Sequence, residues 1–571
     1  MKEKVFRVIR IVGTILAFFN ALMFFAMRPC WSGISSTLGY KNGANPVLYY
    51  LPIGVCVLLF VILLCDLILK KIFKKNWLQI MFLAIHLVFF IAIIAIIALG
   101  GKDYMRFVWP KFFIAVAVLD VILVLYILLF IYPKTALKDN KYFKYGLLGV
   151  VSVLSVAILT NFSVNRITYK PVVYAVEDNY QIVFSTNSEA TGWVEVGGQN
   201  YYDTYAGTSK KFSKVHKVEV PMTALDAAKK YTVHSQKSIY CGPFGGFLGR
   251  DVSESVDFKP VDISDGIQYL SFSDIHMNLK QAAKTASYVQ NYDFLVLIGD
   301  LISDVETEDD ANFNNLVAHT ITGGQMPVVY ARGNHDVKGR YGEELHKYVG
   351  SKNEKFYYNF YFQDIYGIVL DLGEDHDDDW WEYYDTAHYA EYHEEQIAFL
   401  ESEIAKHNYD NYNYHLAISH VPIPFINYRH NHVHVKTEMT KLLNQMDIDM
   451  YLCGHQHDIM IFEPGLIEAG KTPLKYNSAY KNATYGGWLT DFNFPGFMVS
   501  KQGHTCFDDQ SLFRTTSHVG FKVEVDLANH KEVCYYLNGR GEKIDVSNMF
   551  DEKHYGTEIT INLDTKVFTG N

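Results

Sequence analysis

At 571 residues and 49% apolar content the chain is too long for one ordinary domain and rich enough to bury a sizeable core. Its formal charge of −11 is unevenly divided: residues 1–170 hold 19 Lys and Arg against 5 Asp and Glu, a net of +14, so the remainder carries −11 − 14 = −25. An acidic remainder excludes nucleic acid as a routine partner, because such binders need basic surface.

In chain order, five apolar runs come first, at 11–27, 47–69, 77–99, 112–131 and 145–161. A helix needs about 20 residues to cross a bilayer, so these runs predict an N-terminal bundle of about five transmembrane helices over residues 1–165. A cleavable signal peptide is the rival reading of the first run, but no small-residue cleavage site follows it. Lys2, Lys4, Arg7 and Arg10 precede the first run; Lys70, Lys71, Lys74 and Lys75 follow the second; Lys134, Lys138, Lys141 and Lys144 follow the fourth. Excess positive charge marks the cytoplasmic side, so the expectation is a multi-pass protein of the cell membrane, integral to it, with the N-terminus inside and everything beyond about residue 166 extracellular. Within the runs, Asp66 pairs with Lys70, while His86 and Asp120 are read as polar ties between helices rather than as an ion pathway.

Residues 166–262 change to short β-type runs, 181–185, 191–196, 215–220 and 231–235, which alternate polar and apolar positions as half-buried sandwich strands do. No titratable cluster appears there, so the segment reads as a spacer or docking module. An outside location permits disulfides among Cys241, Cys453, Cys506 and Cys534, but spacing does not reveal pairing, and no CxxC zinc pattern exists. Cys453 reads as a buried strand residue.

From residue 267 onward, apolar strands alternate with helix-like stretches at 281–291, 311–320 and 394–406, an α/β pattern in which sites form outside the carboxyl ends of strands. Five strand ends carry metal-type ligands. Leu270-Ser271-Phe272-Ser273 runs into Asp274-Ile275-His276, and the run 294–298 into Gly299-Asp300. Val328-Val329-Tyr330-Ala331-Arg332-Gly333 leads to Asn334-His335-Asp336, 416–419 to His420, and 450–453 to Gly454-His455-Gln456-His457. Asn334-His335-Asp336 alone is ordinary turn chemistry; five such strand ends in succession predict one site. Two divalent cations about 3.5–4 Å apart need one carboxylate that bridges them, and Asp300 stands alone at its strand end. Asn, His and Asp without thiolate suit Mn, Fe or Zn, and ligand type does not choose among them. Asp336 is expected to fix the histidine tautomer.

In order and spacing, Asp274-x-His276, Gly299-Asp300, Gly333-Asn334-His335-Asp336, His420 and Gly454-His455-x-His457 resemble the calcineurin-like metallophosphoesterases, over about residues 267–460. The resemblance implies a metallophosphoesterase fold for residues 263–571, a β-sandwich core flanked by helices and completed by a C-terminal β extension. It implies that Asp274, His276, Asp300 and His457 hold one metal, and Asp300, Asn334, His420 and His455 the other. His335 would touch the phosphoryl oxygens or protonate the leaving group, with help from Arg332 and Asn334. The preceding β-rich segment resembles the fibronectin-like N-terminal domain of purple acid phosphatases, but Ser303 stands where those enzymes place a metal-binding tyrosine, so a tyrosinate-ligated iron is not expected. Asp304 lies four residues past Asp300, one further than in many relatives, which leaves its role open.

Three neighbouring stretches are less specific. His430, in the His-rich run 427–434, is read either as a substrate contact or as part of a surface loop. The acidic run 374–379 lacks the glycine and terminal glutamate of an EF-hand and is expected to be a solvated loop. Trp380 and Trp381 either rim the cleft or simply pack, and Asn482-Ala483-Thr484 fits a glycosylation sequon that also arises by chance.

The expectation that follows is a membrane-anchored hydrolase of phosphate esters, working through two divalent cations and a hydroxide that bridges them. The alternative is a non-catalytic sensor or anchor that binds a phosphorylated ligand. Monoester and diester substrates are not separable from the residues.

Overall fold

The computed structural model describes residues 2–26, 57–58, 60–64, 84–85, 145–146, 149 and 164–570, apart from 243–244, 384, 428–431, 467, 471–473, 478–482, 501–518, 548 and 551–552. The chain divides into two compact units, Met1–Val164 and Asn165–Asn571.

The described part of the first unit is chiefly helix α1 (Lys2–Ala26). The expected five-helix transmembrane bundle is corrected here: among the described residues, no helix is long and apolar enough to cross a membrane. In α1 the first turns carry Lys2, Lys4, Arg7 and Arg10. The apolar remainder, residues 11–26, covers about 24 Å at 1.5 Å per residue, short of the about 30 Å hydrocarbon core. The other four runs lie wholly or mostly outside the described residues, as do Asp66, His86 and Asp120.

The second unit begins with β1 (Ile167–Val176), β2 (Asn179–Val196), β3 (Ser213–Pro221), helix α2 (Met222–Ala228), β4 (Lys230–Gly242) and β5 (Gly245–Asp257). Then come β6 (Ile267–Phe272), α3 (Leu279–Ala286), β7 (Phe294–Ile298), α4 (Glu308–Thr322) and β8 (Pro327–Ala331). They are followed by β9 (Tyr358–Phe362), β10 (Ile365–Leu370), α5 (Tyr389–Lys406), β11 (Tyr414–Ser419), α6 (Val433–Leu443) and β12 (Met450–Cys453). The last labelled strands are β13 (Met460–Phe462), β14 (Gly496–Met498), β15 (Gly520–Asp526), β16 (Lys531–Leu537), β17 (Ile559–Asn562) and β18 (Phe568–Gly570).

One large sheet runs β18-β17-β16-β15-β6-β7-β8-β1-β2-β4-β5, with β3 also on β2. Its centre, β6-β7-β8, is parallel, and every residue of β7 and β8 is buried, as expected for a parallel sheet covered on both faces. The strands expected at 181–185 and 191–196 are one continuous strand, β2. β1 joins β8 in parallel, with Val173 opposite Pro327 and Tyr174 opposite Val328, so the N-terminal strands extend the sheet of β6, β7 and β8 across the boundary expected at 262/263.

The second sheet runs β9-β10-β11-β12-β14-β13 and is parallel through β10-β11-β12-β14. The two sheets face each other over a shared apolar core that contains many tyrosines. Burying a phenol requires a partner for its hydroxyl. Tyr269 OH meets Tyr414 OH at 2.9 Å, Tyr358 OH donates to the Tyr330 carbonyl at 2.6 Å, and Tyr536 OH donates to the Met460 carbonyl at 3.1 Å, so the hydroxyls tie one sheet to the other.

Helix α4 starts where its sequence says it should. The Thr307 side chain accepts from the Asp310 amide, the Asp310 carboxylate accepts from the Thr307 amide, and Gly323 ends the helix in the left-handed region. Cys453 and Cys534 are both buried and free, so burial rather than cross-linking accounts for them.

Candidate metal centre

The carboxyl ends of β6, β7, β8, β11 and β12 open at one end of the two facing sheets and carry Asp274, Asp300, Asn334, His420 and His455 respectively. The turns that follow are strained. Asp274, His276, Asp300, His455 and His457 all adopt positive φ, between +43° and +77°, a region non-glycine residues seldom visit. Close approach of the loops depends on glycine. A Cβ on Gly299, itself at φ +73°, would sit 2.4 Å from the Gly333 amide nitrogen, and one on Gly454 would sit 1.9 Å from Ser273 Oγ and 2.9 Å from Asp274 Oδ2.

Two sets of ligand atoms result. In the first, Asp274, His276, Asp300 and His457 each bring one ligand atom, all within 4.8 Å of one another. His276 Nε2 lies 2.9 Å from His457 Nε2, which lies 3.4 Å from Asp274 Oδ1; His276 Nε2 lies 3.8 Å from Asp300 Oδ2. Asp274 is aimed by its other oxygen, because Oδ2 accepts from the His455 amide and the Ser500 hydroxyl, both at 3.0 Å. In the second set, His420 Nε2 lies 3.2 Å from the same Asp300 Oδ2, and Asn334 Oδ1 lies 3.0 Å from His455 Nδ1. The His420 and His455 rings cross at 5.4 Å. Asp300 Oδ1 is occupied by the His335 amide at 2.8 Å, so its Oδ2 is left facing both sets, as a bridging ligand must.

The atoms present fit divalent cations. Asp274 Oδ1 and His420 Nε2 are buried and make no well-formed hydrogen bond, each facing only another candidate ligand, His457 Nε2 at 3.4 Å and Asp300 Oδ2 at 3.2 Å. His420 donates its Nδ1–H to the Ile298 carbonyl at 2.6 Å, which fixes the tautomer with Nε2 as the ligand atom. Two imidazole nitrogens 2.9 Å apart match two ligands about 2.1 Å from one ion at about a right angle. Burial opposes ionisation of Asp300, yet His420, His335 and His276 outweigh it and hold the carboxyl well below the usual carboxylate range. Burial also opposes a charge on His420, but Asp300 and Asp274 raise it to about 10. The potential at this point is one that holds positive charge.

The flanking residues are distributed differently from expectation. Asp336 does not orient His335: its Oδ2 accepts from the Gly333 amide at 2.8 Å, the Asp300 amide at 3.1 Å and the Tyr330 hydroxyl at 2.9 Å, and so pins the loop. His335 is fixed instead by Nδ1, bonded to the Ser303 carbonyl at 2.7 Å, and burial, stronger than the pull of Asp300, lowers it to about 4. Arg332, expected near the phosphoryl oxygens, is committed to Asp371 Oδ2 at 2.6 Å and lies over the Phe356 ring at 4.3 Å. Asp304 is half-buried, and burial with Glu306 raises it to about 6. His430 lies outside the described residues.

The acidic run 374–379 is not the solvated loop expected. Glu374 and Asp375 are buried at 3% and 9% exposure. Asp375 Oδ2 meets His455 Nε2 at 2.9 Å, and Glu374 lies 3.5 Å from Asn334 Nδ2. Trp380 stacks on His376 at 4.0 Å, whereas Trp381 is 67% exposed. Nothing in the run's composition separates its two inward acids from the outward ones, and Ser500 and the Ser303 carbonyl carried no sequence signal either.

Comparison with known proteins agrees with this site. Residues 267–458 match the family described as Calcineurin-like phosphoesterase, so the chain carries a metallophosphoesterase domain of that type. No curated protein matches the chain. Among solved structures, it is similar to the purple acid phosphatase PPD1 from yellow lupin (Lupinus luteus) seeds, with 13% identity and a TM-score of 0.43 over 69% of this chain and 74% of that one. It is also similar to PhoD, with 8% identity and a TM-score of 0.38 over 70% and 91% of the two chains. A third is GAP50, the anchor in the inner membrane complex of Plasmodium, with 15% identity and a TM-score of 0.31 over 48% and 86%.

Proposed function

We propose that this chain hydrolyses phosphate esters at a centre of two divalent cations, one held by Asp274, His276, Asp300 and His457 and the other by Asp300, Asn334, His420 and His455. The observation that carries the reading is Asp300, whose Oδ2 faces His276 on one side and His420 on the other. Such ions, when bound, lower the pKa of coordinated water and offset charge on the phosphoryl oxygens.

The protein's own groups supply the rest. Asp274 and Asp300 stay ionised across the neutral range, since both carboxyls are held below their ordinary value against burial: Asp274 by His457 and His420, Asp300 chiefly by His420. His335 enters as a neutral imidazole with its Nδ1–H given to Ser303, so Nε2 is the nitrogen free to take the proton that the attacking water gives up and pass it to the leaving oxygen. The Asn334 amide has one face on His455 and the other on Glu374, which orients its oxygen and leaves phosphate contact to His335.

The test is hydrolysis of a chromogenic phosphomonoester and the matching diester by the purified chain with Mn²⁺, beside Asn334→Ala. Turnover that Asn334→Ala abolishes together with part of the bound metal supports the reading, and the preferred ester names the substrate class. A protein that binds two Mn²⁺ yet turns over neither ester favours a phosphate-binding sensor instead.

A further inference from the structure

Strand β10 is followed by Asp371-Leu372-Gly373, and this turn is held from several sides. The Asp371 amide donates to Gln396 Oε1 at 2.8 Å, its carboxylate takes Arg332 at 2.6 Å and the Tyr392 hydroxyl at 2.8 Å, and the Gly373 amide closes on Asp371 Oδ1 at 2.9 Å. The turn delivers Glu374 and Asp375 inward, toward a site that already contains two carboxylates. Burying two more acids there is costly unless each has a fixed partner. Glu374 Oε1 takes Lys338 Nζ at 2.8 Å, and its Oε2 faces Asn334 Nδ2 at 3.5 Å; Asp375 Oδ2 faces His455 Nε2 at 2.9 Å. By contrast Asp377, two residues on, keeps 54% of its side chain exposed.

The consequence lies on the opposite side of the two ligands. An Asn334 amide group turned to Glu374 puts Oδ1 on His455, and a His455 Nε2–H given to Asp375 leaves Nδ1 as a bare acceptor. With the neutral Nε2–H tautomer these two acceptors face each other at 3.0 Å, a repulsion that a cation lying against both relieves. We infer that Glu374 and Asp375 are positioning residues for one half of the metal centre: they set the amide orientation of Asn334 and the tautomer of His455, so that Oδ1 and Nδ1 are presented as ligands. The inference rests on the two-cation reading above.

Mn²⁺ titration of the 571-residue chain, followed by calorimetry and low-temperature electron paramagnetic resonance, tests it. Wild type is expected to bind two ions and show the spectrum of a spin-coupled pair. Asp375→Ala is expected to bind one ion as before and the second about 10–100-fold more weakly, with the coupled spectrum giving way to that of an isolated ion. Glu374→Gln, which keeps an acceptor for the amide, should lose less, and Asp375→Glu should recover part of the loss. A folded Asp375→Ala protein that shows the coupled pair at wild-type Mn²⁺ concentrations overturns the positioning role. Should Asp375→Ala not fold, Asp375→Asn keeps the volume and an acceptor and is expected to lose severalfold in the second affinity; unchanged affinity in that variant overturns the role equally. A wild-type chain that never shows a coupled pair refutes the two-cation reading itself, a result distinct from either variant outcome.

Discussion

At the scale of single residues, the division of labour between His335 and the ligands around it is the sharpest consequence of the geometry. His335 shares its loop with Asn334, yet its Nδ1 is spent on the Ser303 carbonyl and its backbone amide on Asp300, so its ring is placed by the protein rather than by a cation. Its amide survives substitution. His335→Ala should therefore lower kcat by about 10²–10⁴ while leaving the metal content at the wild-type value. Turnover and metal analysis of the same preparation decide this, and metal loss in His335→Ala would remove the catalytic assignment. The ligand types were legible because each ends an apolar run, and buried strand followed by polar turn is a pattern that sequence preserves. Arg332 and Asp336 have partners that the motif does not announce, for a common reason: both sit within the motif, but Arg332 pairs with Asp371, thirty-nine residues on, and Asp336 takes amides of its own and a neighbouring loop. Proximity in sequence does not tell which way a side chain turns.

At the scale of elements, strands and helices of the catalytic part were readable from periodicity, whereas the packing of one sheet on the other was not, because it is decided by polar pairs between distant strands. Glu532 on β16 is an example. It is fully buried, its Oε2 accepts from the Tyr414 hydroxyl at 2.9 Å, and Tyr414 meets Tyr269 at 2.9 Å. Burial first, and then Asp449, raise its carboxyl to about 8. The folded chain thus holds this proton more tightly than the unfolded chain, where a glutamate titrates near about 4.3. Stability from this group is complete below about pH 4 and is lost as pH rises through about 8, by at most about 5 kcal/mol. Glu532→Gln, neutral at every pH, should raise the melting temperature at pH 8.5 by several degrees and change it little at pH 5. Thermal melts of the two proteins across that range measure the difference, and parallel pH profiles would show that Glu532 is ionised in the fold at no such cost.

At the scale of the whole molecule, the sequence suggested three blocks, and the structure joins the second and third through β-sheet. Compositional change marks where the strands of 167–257 begin, but no composition reveals that β1 lies beside β8, because that pairing links residues about 150 positions apart. The join is more than a contact. β8 is the strand that delivers Asn334, and on its β1 side the Tyr174 hydroxyl reaches across to Asn315 on α4 at 3.0 Å, while Ser185 on β2 holds Asn312 of the same helix at 2.6 Å. Removing residues 165–257 would strip β8 of one neighbour, expose the amides and carbonyls of a strand buried along its whole length, and leave Asn312 and Asn315 without these partners inside an apolar surface. Residues 165–571, by contrast, form one compact unit. A fragment of residues 165–571 should therefore unfold in one cooperative transition and bind Mn²⁺, whereas a fragment of residues 263–571 should aggregate or melt without a sharp transition and bind the second ion poorly, since the Asn334 loop is no longer braced. Calorimetry and Mn²⁺ titration of the two fragments settle the matter: a shorter fragment that melts cooperatively and keeps both ions would mean that the N-terminal strands decorate the catalytic sheet without supporting it.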